Sequence, residues 1–116
     1  MSATENTQSY VYFDDLKEIS ESAPTESIVS RTIYKNGQTR VFLFDFAPGQ
    51  SLSEHSSPAL AIIQILSGEA TIGLGDDVYE AHAGSCAYMQ PRLPHNVTAK
   101  TAVKMMLTML PAPSDS

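Results

Sequence analysis

Basic residues are scarce in this chain: 7 Lys and Arg stand against 13 Asp and Glu in 116 residues, a formal charge of −6. Proteins that neutralise nucleic-acid phosphates need clustered Lys and Arg. Here the nearest approach is Arg31, Lys35 and Arg40, spread over a hairpin-like segment, so nucleic acid is not an expected partner. Long apolar runs are missing as well. The longest, Ala59 to Ile63, stops at Gln64, whereas a membrane-spanning helix takes about 20 residues. The opening MSATENTQSY has neither the basic cluster nor the apolar stretch of a secretory signal. A lone cysteine, Cys86, has no partner for an internal disulfide, which suits a reducing compartment. No helix N-terminus or neighbouring cation activates it, so it reads as a small buried apolar residue. The expected setting is cytoplasmic, with no membrane.

What is present reads as a globular chain. Hydrophobic residues make up 42% and charged residues 17%, outside the range of disordered sequences. The length predicts one domain that buries roughly two thirds of its unfolded surface. Residues 1–9 read as a flexible arm, 10–110 as the domain and 111–116 as a flexible tail. The one helix-like stretch, Asp14 to Ile19, is too short to be stable alone. The rest consists of short β-rich runs between turns: Ile28–Tyr34 and Thr39–Phe46 around Asn36-Gly37, then Ser51–Ser57, Ala61–Leu66, Ala70–Leu74, Val78–Ala81, Ser85–Met89, His95–Ala99 and Val103–Leu110. That pattern predicts an all-β fold, a small antiparallel barrel or sandwich.

Two groups of residues fall into a known register. Gly49, His55, Ser57, Ala61 and Gly68 have the spacing of the first cupin motif, whose positions are Gly, His, His, Glu and Gly. Gly84, Gln90, Arg92 and His95 have the spacing of the second, whose positions are Gly, Pro, Gly and His. The chain resembles a small single-domain bacterial cupin with a degenerate first motif, over about residues 40–110. The resemblance implies a jelly-roll barrel, and implies that His55 and His95 meet in one pocket.

In metal-bearing cupins, the resemblance further implies, two histidines and a glutamate of the first motif join the histidine of the second around iron, manganese, nickel, copper or zinc. Here Ser57 and Ala61 replace two of the four. A neutral hydroxyl is a poor ligand for such ions and alanine offers nothing, so no cofactor is certain and His55 and His95 are the candidate metal ligands that remain. Gln64 should face away by strand alternation, and His82 sits in an exposed turn. The same alternation puts Ser57 inside with His55, and Leu52 and Glu54 outside.

The candidate ligand pocket therefore comprises His55, Ser57 and His95, with Phe44, Phe46, Met105 and either Tyr88 or Met89 as apolar lining. Arg92 stands at the mouth, where a guanidinium suits a carboxylate. Catalytic residues are not identified. Three functions are expected in order: a barrel binding a small organic ligand between two histidines; a metal-dependent dioxygenase, isomerase or lyase acting on a small oxygen-rich substrate; and a sensor module working with a separate partner chain. A homodimer is expected, with Tyr10 to Ile19 crossing to a partner and covering exposed strand edges.

Overall fold

The computed structural model describes residues 8–112. The arm and tail expected at the two ends lie outside the described residues except at 8–9 and 111–112. Among the described residues, nine strands follow a single 3-10 turn at Leu16–Glu18, which Asp15 caps by accepting from the Lys17 N–H. They are β1 (Ile28–Asn36), β2 (Thr39–Phe46), β3 (Ser51–His55), β4 (Leu60–Ser67), β5 (Glu69–Leu74), β6 (Asp77–His82), β7 (Cys86–Met89), β8 (His95–Ala99) and β9 (Val103–Leu110). One sheet has the order β1-β2-β9-β4-β7 and the other β3-β8-β5-β6. Every pairing is antiparallel. The expected all-β jelly-roll sandwich is what the chain adopts.

Period-two burial explains how the sheets face each other. Ala61, Ile63 and Ile65 of β4 and His95, Val97 and Ala99 of β8 are buried, while the residues between them are not. All of these except His95 meet Phe46, Ala70, Ile72, Met89, Val103 and Met105 in one core. The β1–β2 hairpin turns at Gly37-Gln38, because Asn36 already pairs with Thr39. Gly37 takes φ 61°, the left-handed conformation such a two-residue turn asks of glycine.

The outer face of the five-stranded sheet carries a buried charge. Asp45 is 3% exposed and lies opposite Lys104 in the β2–β9 ladder. Lys104 Nζ donates to Asp45 Oδ1 at 2.7 Å and to the Ser20 carbonyl at 2.7 Å. Ser20 Oγ donates to Asp45 Oδ2 at 2.5 Å. This network ties the segment after the 3-10 turn to the sheet, and Arg31 adds a bond to the Ile19 carbonyl. Among the described residues, no helix is long and apolar enough to cross a membrane.

Candidate functional site

Strand pairing brings two distant histidines together. His55 ends β3 directly opposite His95, the first residue of β8. Opposed residues of antiparallel strands hold their Cβ atoms about 5 Å apart, and the two imidazole centroids here lie 4.2 Å apart with planes inclined by 57°. His95 is 7% exposed, while His55 is exposed and forms the open side.

Each ring is oriented by the same local contact. His55 Nδ1 donates to the Ser53 carbonyl at 2.7 Å and His95 Nδ1 to the Leu93 carbonyl at 2.9 Å. A carbonyl oxygen accepts and never donates, so both rings carry their proton on Nδ1. Nε2 on each is the acceptor of the neutral ring.

Both rings border a cavity of about 150 Å³ between the two sheets. Phe44, Ile63, Met105 and Leu107 line it from the five-stranded sheet, and Leu52 and Val97 join the histidines from the other. An apolar engineered cavity of about this size takes up benzene, which sets the scale of any occupant. Wider surface hollows lie elsewhere, one around the Asp45–Lys104 pair and one between Tyr79 and Tyr88; neither contains a histidine of the motifs. Cys86, expected to be buried, lines the second and is exposed, because it alternates with the inward Ala87 and Met89 on the edge strand β7.

The expected site residues divide accordingly. His55, His95, Phe44 and Met105 line one cavity, whereas Phe46 and Met89 are buried in the core and do not border it. Ser57 lies beyond the end of β3, so the alternation read from His55 does not extend to it. Its Oγ accepts from the Ala59 N–H, and its carbonyl accepts from the Arg92 N–H. Arg92 is exposed at φ 69° in the turn before β8. That left-handed conformation is one glycine adopts most readily, and the Arg92 side chain does not border the cavity.

Leu52 requires a correction. Alternation from His55 put it outside, yet it lines the cavity. Leu52 pairs with Val97 and His55 with His95, so three steps on β3 match two on β8. The extra residue is a β-bulge, which turns both side chains to the same face. Val97 and Leu107 were recoverable from the sequence as the alternate neighbours of His95 and Met105; nothing local in the sequence marked the bulge.

The cupin metal set finds too few donors here. Among the described residues, no three His, Cys, Asp or Glu side chains converge. Ala61 is buried at the glutamate position, and the Ser57 hydroxyl is engaged with the backbone. Catalytic zinc keeps three protein ligands, and a dication in this cavity would meet no carboxylate to offset its charge. Two imidazoles do not fit a tightly held dication.

A family model for the cupin domain matches residues 42–111. A cupin superfamily protein from Desulfitobacterium hafniense superposes with TM-score 0.81 at 23% identity, over 94% of this chain and 99% of that one. An RmlC-like cupin from Shewanella frigidimarina gives 0.73 at 15% identity, over 91% and 96%. A Cupin 2 conserved barrel domain protein from Leptotrichia buccalis gives 0.74 at 27%, over 82% of this chain and 46% of that one. No curated protein matches the chain.

Proposed function

The chain belongs to the cupin domain family, and we propose that its barrel binds a small organic molecule between the two sheets, with His55 and His95 as the polar contacts. The supporting observation is the pair of imidazoles at the edge of an apolar cavity, each with Nδ1 engaged by backbone and Nε2 without a protein partner among the described residues. Ligand sites of this kind combine apolar walls with a few placed polar groups. The cavity volume of about 150 Å³ limits the occupant to the size of a single small ring or a short chain.

A metal-dependent reading draws on the closeness of the rings, which lets both imidazoles reach one ion with water or substrate completing its sphere. The donor set argues against a resident ion. Metal analysis of protein purified without chelator separates the two. Near-stoichiometric iron, manganese, nickel, copper or zinc that disappears in His55→Ala establishes the metal reading. For the organic-ligand reading, phenol titrated against methyl-labelled protein should shift the Met105, Leu52 and Leu107 methyl resonances. No shift at millimolar phenol overturns it.

A further inference from the structure

We infer that the pocket selects a compact neutral ligand carrying two adjacent hydrogen-bond donors, such as a vicinal dihydroxy compound, and rejects carboxylates; this rests on the organic-ligand reading above. The selection follows from the protons on the two rings. Both Nδ1 atoms are committed to carbonyls two residues earlier, at Ser53 and Leu93. Flipping either ring to the other tautomer would set a lone pair against a carbonyl oxygen. Both Nε2 atoms therefore present lone pairs in the neutral state.

Two acceptors side by side call for two donors on the ligand. The ring centroids are 4.2 Å apart and each Nε2 lies within its own small ring, so both acceptors are within reach of one compact ligand with closely spaced donors and not of donors at opposite ends of a long molecule. Nothing else in the cavity alters that demand. Phe44, Leu52, Ile63, Val97, Met105 and Leu107 offer no N–H or O–H side-chain donor and no charge. A carboxylate would bring its own lone pairs against those of the rings, and its desolvation would go uncompensated. A purely apolar molecule would fill the space but leave the Nε2 of the buried His95 unsatisfied beneath it. A ligand with two hydroxyls satisfies both nitrogens and lays its carbon skeleton on the apolar wall.

The local sequence supports the arrangement. Pro94 disfavours helical backbone at Leu93, and its ring leaves no N–H between the Leu93 carbonyl and His95 to compete for that acceptor. At His55 the bulge does the equivalent work, since it returns the ring to the cavity face after Leu52.

Four probes of one ring size test this by calorimetry: benzene, phenol, benzoate and catechol under argon. Each added hydroxyl should tighten binding roughly fivefold to tenfold, at a net contribution of about 1 kcal/mol per hydrogen bond. The order expected is catechol, phenol, benzene, with benzoate weakest. In His55→Phe, which removes one acceptor at an exposed position, the preference for catechol over phenol should vanish while phenol still binds. Long-range nitrogen–proton spectra should show both rings with Nδ1 protonated, and catechol should shift both Nε2 resonances. Equal affinity for benzene and catechol, tighter binding of benzoate, or a ring protonated on Nε2 overturns the donor-pair inference while the pocket itself stands. If none of the four binds, the pocket reading fails with it.

Discussion

Removing the Asp45 carboxylate should be among the most damaging changes outside the core. Asp45→Ala strands Lys104 against the sheet with its Nζ facing a lost partner, and releases the Ser20 hydroxyl from its bond to Oδ2. Breaking a buried pair by deleting one partner costs roughly 3–5 kcal/mol. The Lys104 side chain keeps 18% exposure against 4% for Asp45, so the ammonium retains a path to water and the low end applies, about 3 kcal/mol. For a chain of this size that corresponds to a fall in Tm of roughly 12 °C. Replacing both partners, as in Asp45→Leu with Lys104→Met, removes the uncompensated charge and should return stability to within about 1 kcal/mol of the parent. Urea unfolding followed by circular dichroism, run as a double-mutant cycle, measures the coupling. If either single variant loses less than about 1 kcal/mol, or the double variant is worse than both singles, the buried pair does not hold the N-terminal segment as described.

Other outcomes follow from the same geometry. Arg92→Gly relieves a left-handed backbone at φ 69°; it should raise the unfolding free energy by a net of about 0.5–1 kcal/mol once the looser unfolded chain is counted, seen as a higher urea midpoint, and a lowered midpoint refutes this. Gly68→Ala should lose about 2–4 kcal/mol, because φ is 88° and a Cβ would collide with the Ala102 carbonyl; a soluble variant of parental stability contradicts it. Glu80 has its carboxyl lowered from 4.5, first by the hydrogen bond from Lys100, with desolvation opposing and the Lys100 charge and Thr71 assisting. Its folded value lies below its unfolded one, so its small contribution is present above pH 4.5 and fades as the pH falls through the folded value. The Glu80→Gln variant should flatten that part of the acid limb, and high salt should do the same; an unchanged limb in both refutes the pairing. We further propose that the chain is a homodimer that covers Val78, Tyr79 and Tyr88 at the free edges β6 and β7, where they are 67%, 55% and 79% exposed. Sedimentation at micromolar concentration should show a dimer that Tyr88→Lys weakens, and a monomeric parent ends the proposal.

Turn chemistry and alternation determined a great deal from the sequence alone. Asn36-Gly37 placed the first hairpin, with the loop itself one residue later at Gly37-Gln38, because Asn36 pairs with Thr39. Ala61, Ile63 and Ile65 were assignable to the core by parity, since a strand with one buried face repeats every second residue. The two motif spacings identified the family and nominated His55 and His95. Tertiary structure decided what no local pattern encodes. The bulge in β3 brought Leu52 to the cavity against its parity, and the end of the strand at His55 removed Ser57 from the same face. Phe46 and Met89 were assigned to the core and Phe44 and Met105 to the cavity wall by the spacing between sheets, which depends on side chains contributed by both. Nothing local in the sequence sets Asp45 apart from other strand carboxylates; its burial depends on Lys104 across the ladder and on Ser20 folding back over it. Period and turn type are local properties of a chain, whereas register across a bulge and the matching of buried charges exist only once distant segments have met.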